Sequence, residues 1–117
     1  MAEEKQDLLP GTLELLVLKT LTNGALHGYA IVREIQRRSA EALTVEEGSL
    51  YPALHRMERR GWIDAEWGAS ESNRRAKFYV LTKLGRIELR SQTANWQRMS
   101  GAITQVLEAN LGGAAGA

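Results

Sequence analysis

The chain has 117 residues, of which 44% are hydrophobic and 25% charged, and this composition fits one folded domain with a modest core. Cysteine is absent, which excludes disulfide bonds and thiolate chemistry, and the net charge of +1 does not by itself indicate a nucleic-acid partner. The charge is unevenly distributed, because residues 74–90 carry six basic side chains and one acidic one, whereas residues 1–7 have a net charge of −2.

Targeting signals are not visible in the sequence. Residues 1–7 are acidic and polar, so the sequence predicts no signal peptide. No apolar run reaches the roughly 18 residues that a membrane-spanning helix requires. We therefore expect a cytoplasmic protein without a membrane partner.

Two helices are predicted in the first third of the chain. The segment "LLPGTLELLVLKTLTNG", residues 8–24, has Pro10 at an early helical position and a stop signal at Asn23-Gly24. Its apolar stripe consists of Leu13, Leu16, Val17, Thr20 and Leu21. The segment "LHGYAIVREIQRRSAEAL", residues 26–43, is predicted as the second helix. Its inward residues would be Tyr29, Ile31, Val32, Ile35 and Ala42, and its outward residues Arg33, Arg37 and Arg38.

A third helix, predicted within residues 45–60, contains Pro52 near its beginning, and two starts fit the sequence. If Ser49 is the N-cap, Pro52 is the third helical residue, where a missing N–H has no helical partner to lose. If the helix starts at Thr44, the segment "TVEE" forms a capping box and Pro52 lies inside the helix. The ring of Pro52 then faces the carbonyl of Gly48, where a glycine lets the backbone adjust.

A hairpin and a fourth helix complete the chain. The segments 62–67 and 74–82 alternate apolar and polar residues with period two, and the polar loop "GASESN" joins them. Thr82 is predicted to cap the helix "KLGRIELRSQTANWQRMSGAITQVLEANL", whose apolar residues recur every three, four or seven positions.

The predicted order is helix, helix, helix, hairpin and long helix, which matches a winged helix-turn-helix followed by one further helix. The fold class is therefore mainly α with a small β-hairpin. Three parts are predicted: a winged helix-turn-helix domain at 1–82, a C-terminal dimerisation helix at 83–111 and a disordered tail at 112–117.

Three motifs of the sequence, "LHGYAIVREI", "GSLYPALHRMERRGWI" and "RRAKFYVLTKLGRIEL", resemble the signatures of the PadR family of bacterial transcriptional regulators. The resemblance covers roughly Leu8 to Leu89, with the motifs in order. It implies the compact type of this family, with a single terminal helix that forms a dimer. It also favours the start of the third helix at Thr44.

The motifs and the order of elements together predict a DNA-binding transcriptional regulator. We expect a homodimeric repressor that binds double-stranded DNA at a near-palindromic operator through helix 45–60 and the wing 68–77. The competing interpretation is a winged helix that binds protein and not DNA. That alternative requires an apolar recognition face, whereas the predicted face is rich in arginine.

The candidate DNA contacts lie on the outward face of the third helix, on the wing and on the second helix. Leu50, Leu54 and Met57 are predicted to point inward, opposite to that face. The candidates are Ser49, Tyr51, Pro52, His55, Arg56 and Arg59 of the third helix, Asn73, Arg74, Arg75 and Lys77 of the wing, and Tyr29 of the second helix. The alternative roles are a solvated helix face, a solubilising loop and, for the two tyrosines, packing in the core.

The fourth helix has more apolar surface than so small a domain can cover, and a second copy of the chain is the simplest partner for it. The expected interface residues are Leu8, Leu9, Leu13, Trp96, Met99, Ile103, Val106 and Leu107. Because some members of the resembled family bind flat aromatic effectors near the dimer junction, Trp96 is also a candidate effector contact. The alternative for Trp96 is packing between protomers.

Metal-binding and catalytic patterns are missing from the sequence. His27 and His55 fall in separate predicted elements and cysteine is absent, so we predict no metal site and expect His27 to cap a helix or to pack. We find no glycine-rich phosphate loop and no nucleophile elbow. The sequence therefore predicts neither an enzyme nor a cofactor.

Overall fold

The computed structural model describes residues 11–109 and confirms the predicted fold class. The fold consists of four α-helices and a small antiparallel sheet of three strands. The elements are α1 (Thr12–Thr20), a 3-10 turn (Leu21–Asn23), β1 (Leu26–His27), α2 (Gly28–Arg38), α3 (Glu47–Arg59), β2 (Ile63–Ala69), β3 (Arg75–Leu81) and α4 (Lys83–Glu108). Pro10, the candidate interface residues Leu8 and Leu9, and the tail 112–117 lie outside the described residues.

The three strands are ordered β1-β3-β2, and both pairings are antiparallel. In the wing formed by β2 and β3, the register runs from Ile63 opposite Leu81 to Ala69 opposite Arg75. β2 extends two residues beyond its predicted end, since Gly68 and Ala69 belong to it and not to the loop, whereas β3 is one residue shorter than predicted at each end. The missing side chain of Gly68 leaves room for the ring of Phe78, which a Cβ atom at this position would approach to 3.1 Å.

The second helix is shorter than predicted at both ends. Leu26 and His27 form β1 because they pair with Tyr79 and Phe78 of β3. At the other end α2 stops at Arg38, and the following residues Ala40 and Glu41 have positive φ values of 52° and 68°. A right-handed helix cannot continue through residues in that conformation, so the prediction of helix up to residue 43 is wrong.

The core lies between α1, α2, α3 and the sheet. Its buried apolar residues are Val17, Leu18, Leu21, Ile31, Ile35, Leu50, Ala53, Leu54, Met57, Ile63, Tyr79 and Leu81. The inward positions predicted on the third helix are confirmed. The inward prediction is wrong for Tyr29, which is 61% exposed, and for Ala42, which follows the end of α2. Tyr29 lies on the opposite side of α2 from Ile31 and Ile35, which are one turn apart and define its buried face.

Helix α3 begins at Glu47, between the two predicted starts, and neither of them is correct. Glu46 is the N-cap in an extended conformation, without a capping side-chain hydrogen bond. The backbone N–H of Leu50 donates to the carbonyl oxygen of Glu46 at 3.0 Å. Pro52 is therefore inside the helix and supplies no N–H to the carbonyl of Gly48.

Thr82 caps helix α4 as predicted, since its Oγ1 accepts a hydrogen bond from the backbone N–H of Gly85 at 2.9 Å. Its first turns pack against α1 and β3, and Leu89 reaches the core. From Trp96 onward most side chains are exposed. Across residues 11–109, none of the helices combines the length and the apolarity that a membrane span needs.

Candidate nucleic-acid interface

An open groove of about 1450 Å³ lies between α2, α3 and the wing. Aromatic and basic side chains line it, together with small polar residues and the carboxylates of Glu34, Glu41 and Glu71. The aromatic ones are His27, Tyr29, Tyr51, His55, Trp67 and Tyr79, and the basic ones are Arg33, Arg37, Arg74, Arg75 and Lys77. The groove thus brings together candidates from the second helix, the third helix and the wing that are far apart in the sequence.

His27 joins the start of α2 to the wing. Its Nδ1 atom accepts a hydrogen bond from the backbone N–H of Ala30 at 3.2 Å, which confirms the predicted capping role. The ring then carries its proton on Nε2, which lies 3.3 Å from Oε1 of Glu71 in the wing loop. A backbone hydrogen bond, together with the His27 side chain, lowers the pKa of Glu71. Within residues 11–109 no group of three His, Asp or Glu residues is arranged to hold a metal ion.

The two candidate tyrosines have different environments. Tyr51 packs its phenol over Gly28, where a Cβ atom would lie 2.5 Å from the phenol oxygen. Tyr29 projects from α2 into solvent, with the guanidinium of Arg33 placed 5.6 Å from the centre of its ring. In the "HGY" motif, the histidine therefore caps α2, the glycine makes room for Tyr51 and the tyrosine is displayed on the surface.

The outward face of α3 is exposed as predicted. Its residues are Ser49, Pro52, His55, Arg56 and Arg59. Arg56 has an internal partner, because its Nε atom donates to Oε2 of Glu14 on α1 at 3.2 Å. Arg59, in contrast, forms no ion pair with any other residue in the range 11–109.

The three basic residues of the wing have different environments. Arg74 is exposed and has no ion-pair partner in the part of the chain that the structure describes. The guanidinium of Arg75 stacks 4.5 Å from the ring centre of Trp67. Lys77 is half-buried and places its Nζ atom 3.6 Å from Oε1 of Glu58 on α3. The wing therefore offers the charge of Arg74 freely, whereas Lys77 already has a counter-charge.

The wing loop is closed by its own backbone. The N–H of Asn73 donates to the carbonyl oxygen of Ser70 at 2.8 Å, and the N–H of Ser70 donates to the carbonyl oxygen of Arg74 at 2.8 Å. Asn73 has a φ of 63°, a left-handed conformation that asparagine tolerates well. Asn73 thus forms the turn after which Arg74 leads into β3.

Two further arginines lie at the end of α2. Arg37 and Arg38 both donate to the carboxylate of Glu34, at 3.0 and 2.8 Å. These hydrogen bonds lower the pKa of Glu34 to about 2. Glu34 therefore stays charged at neutral pH and compensates part of the positive charge at this edge of the groove.

Sequence reasoning missed three residues of this surface: Glu14, Arg33 and Trp67. Arg33 was recognised only as an outward residue of the second helix. The period-two pattern assigns Trp67 to the same face of β2 as buried Ile63, but the wing extends beyond the core and leaves Trp67 exposed. Glu14 gives no sequence signal, since its partners follow it by 42 and 46 residues.

A second surface, the apolar stripe of α4, lies outside the groove. Its exposed members are Trp96, Met99, Ile103, Val106 and Leu107. Leu13 is half-buried and packs against the core of its own chain. The five side chains of the stripe are therefore open to a partner, whereas Leu13 is already largely covered by its own chain.

Three helices, a β-hairpin wing and a basic groove define a winged-helix protein. The family model described as "Transcriptional regulator PadR-like family" matches residues 17–91, and the chain belongs to this family. The chain is similar to a transcriptional regulator from Clostridium thermocellum, with 26% identity and a TM-score of 0.74 over 81% of this chain and 92% of the other. It is also similar to a PadR family transcriptional regulator from Eggerthella lenta, with 32% identity and a TM-score of 0.72 over 86% and 85%.

Among relatives known by sequence, an uncharacterised protein from Lysinibacillus sphaericus is 26% identical over 104 residues, which are 89% of this chain and 95% of that protein. Members of the PadR-like family are transcriptional regulators and not enzymes, in agreement with the prediction from the sequence.

Proposed function

We propose that the protein is a homodimeric repressor that binds a near-palindromic operator. The observation that carries this proposal is the basic groove, which Tyr51 and His55 of α3 line together with Arg74, Arg75 and Lys77 of the wing. An α-helix of this kind fits the major groove of B-DNA, and a hairpin beside it can follow the sugar-phosphate backbone.

The environments of the side chains suggest their roles on DNA. Ser49, His55 and Arg59 are exposed on α3, and among the described residues Arg59 has no ion-pair partner. We assign all three to base edges. Pro52 offers a small, stiff apolar contact beside them. Arg74 is exposed where the wing loop joins β3, and we assign it to phosphate.

Other candidates are held at the edges of the groove, where a phosphate backbone would run. Tyr29 and Tyr51 can donate their hydroxyl groups to phosphate oxygens. Arg75 keeps its N–H donors available at the edge of the guanidinium plane while it stacks on Trp67. Asn73 and Lys77 complete the wing contacts, with Lys77 retaining Glu58 as its neighbour.

The apolar stripe of α4 supports the dimer. A second copy of the same helix offers a matching stripe, so that a two-fold axis would cover both at once. Leu8, Leu9 and Leu13 are proposed to join this interface from the N-terminal part of the chain. Two α3 helices held about one duplex turn apart would then face the two halves of a near-palindrome.

Trp96 lies within that stripe, and its exposed ring offers a stacking surface to a flat aromatic effector. Binding there would alter the packing of the two α4 helices and hence the distance between the two α3 helices. The same ring fills the interface if no effector exists. A repressor that acts on the chromosome works in the cytoplasm, which is the proposed location.

Fluorescence anisotropy with DNA from the promoter region of the chain's own gene tests the proposal. The protein should prefer this DNA over a scrambled duplex of the same length and composition. In the variant Arg74→Ala/Arg75→Ala, the slope of log affinity against log salt should fall by about one to two units on either DNA.

A matched control removes the same charge elsewhere. Arg86→Ala/Arg90→Ala takes two exposed arginines from α4, away from the groove, and should leave the slope nearly unchanged. Equal slopes for both variants would show that the wing does not touch DNA. No preference of the wild-type protein for its own promoter would contradict the proposed operator.

A further inference from the structure

Glu14 occupies a position of α1 that faces the core. Val17, Leu18 and Leu21 follow it by three, four and seven residues on the same face of the helix, and all three are buried. The Glu14 side chain is itself only 13% exposed. A carboxylate in such a place is unfavourable unless a cation and hydrogen bonds compensate its charge.

Two arginines, Arg56 in the last turn of α3 and Arg60 at its C-cap, supply that compensation. Nε of Arg56 donates to one carboxylate oxygen of Glu14 at 3.2 Å, and Nη1 of Arg60 donates to the other at 3.5 Å. Arg56 and Arg60 are four residues apart, so one carboxylate on α1 reaches two successive turns at the C-terminal end of α3. The second guanidinium also lies 5.1 Å from the ring centre of Trp62, which holds it against the body of the domain.

The contact with Glu14 uses the Nε–H donor of Arg56 and leaves other N–H donors of its guanidinium available. A guanidinium is planar and has five N–H donors, so pairing through Nε fixes the plane of the group and leaves terminal N–H groups available to a further partner. The side chain of Arg56 remains 44% exposed, on the face of α3 that opens to solvent. Holding the plane in one orientation before binding reduces the side-chain entropy that a contact with DNA would otherwise lose.

We propose that Glu14 is a positioning residue for DNA recognition, which holds Arg56 by Nε so that its terminal nitrogens face a base edge of the operator. The inference rests on the proposed DNA-binding function and deepens it. Glu14 touches no DNA in this arrangement, and its effect on sequence preference passes entirely through Arg56. Arg60 shares the carboxylate and stabilises it in place.

The test compares Glu14→Gln with wild type on operator DNA and on scrambled DNA, in the parent chain and in an Arg56→Ala background. A well-placed bidentate arginine contributes about 5- to 150-fold to the discrimination between bases, and loss of its orientation should remove part of this. We expect the preference for the operator to fall by about three- to tenfold in the parent chain and to stay unchanged in the Arg56→Ala background. The control Glu88→Gln removes one negative charge from α4, where the carboxylate accepts a hydrogen bond from Gln92 of the same helix, and should leave the preference intact.

Each other result would overturn the inference in a recognisable way. An equal rise of affinity on both DNAs would identify Glu14 as an anion that competes with phosphate for Arg56. The same loss of preference in both backgrounds would mean that Glu14 does not act through Arg56. If wild type shows no operator preference at all, the proposed function fails first, whereas an operator-specific wild type with an equally specific Glu14→Gln variant refutes only the positioning role.

A measurement on the wild-type protein avoids any folding defect of the variant. The NMR signal of the Arg56 Nε–H group should be protected from exchange with water in the free protein and should remain protected on the operator. Loss of that protection when operator DNA binds would show that the pair breaks on recognition, and the positioning role would be wrong.

Discussion

The phenol of Tyr51 on α3 lies directly against the backbone of Gly28, the first residue of α2. A Cβ atom on Gly28 would be 2.5 Å from the phenol oxygen and 2.9 Å from Cζ, and both distances are shorter than Cβ atoms show in folded proteins. The glycine therefore sets how near the start of α2 comes to α3. Since both helices line the groove, this contact also fixes the shape of the candidate DNA surface.

The variant Gly28→Ala should lower the free energy of unfolding by about 1–3 kcal/mol, because the added methyl group must displace the tyrosine ring or the helix. Urea unfolding followed by circular dichroism measures this. In a Tyr51→Ala background the obstacle is gone, and Gly28→Ala should be nearly neutral there. An equal cost in both backgrounds would mean that the ring of Tyr51 is not what the methyl group meets.

Local chemistry explains which parts of the fold could be predicted from the sequence. Thr82 caps α4 through a hydrogen bond to a residue three positions later, and Leu50, Leu54 and Met57 repeat at helical spacing, so short segments contain the whole signal. The start of α3 was missed because both Thr44 and Ser49 carry a hydroxyl group suited to capping, while the actual N-cap Glu46 makes no side-chain cap. The helix begins after the extended backbone of Glu46, without the capping side chain that a sequence pattern can reveal.

Contacts between distant segments account for what the sequence did not reveal in the candidate site. The face of α3 follows from helical geometry, and the charge of the wing is visible in the sequence. The pairing of Arg56 with Glu14 and that of Lys77 with Glu58 depend on how helices and strands pack. The sequence predicts which side chains are basic, but tertiary packing decides which of them have a free charge.

Two glycines of α4 should respond oppositely to the same substitution. A Cβ atom on Gly85 would collide with the backbone carbonyl of Trp62, whereas one on Gly101 would meet open space. Gly85→Ala should therefore destabilise the protein by about 1–3 kcal/mol, and Gly101→Ala should stabilise it by about 0.5–1 kcal/mol through helix propensity. Thermal unfolding of both variants decides the matter. A stabilised Gly85→Ala variant would contradict the close packing of α4 on residue 62.

The stability of the end of α2 should depend on pH through Glu34. Its pKa is about 2 in the folded protein against an ordinary value of 4.5, so the folded state favours the charged form. The stabilisation is complete above pH 4.5 and is lost as the pH falls toward 2. Because these pairs are near the surface, we expect less than about 1 kcal/mol. Urea titrations should show that Glu34→Gln is less stable than wild type at pH 6 and that this difference shrinks at pH 3.5.

The variant Ile103→Asp tests the proposed dimer. Ile103 is 51% exposed in the single chain, so an aspartate there does not disturb the core of the winged helix. In a dimer joined through α4, the same aspartate would place a charge without a partner in the centre of the apolar stripe, which is strongly unfavourable. Gln105→Asp adds the same charge on the opposite side of α4 and serves as the control.

The stripe can hold two chains together only if most of it is covered, since burying each large apolar side chain contributes about 1.5–3 kcal/mol. Light scattering at micromolar concentration should therefore give a dimer for wild type and Gln105→Asp, and a monomer for Ile103→Asp. Operator affinity should fall sharply in Ile103→Asp although every residue assigned to DNA is intact, because one half-site offers too few contacts alone. A folded Ile103→Asp protein that remains dimeric would place the interface elsewhere, with the N-terminal residues Leu9 and Leu13 as the next candidates. The proposed spacing of the two α3 helices would then be wrong, since that spacing depends on α4 being the element that joins the protomers.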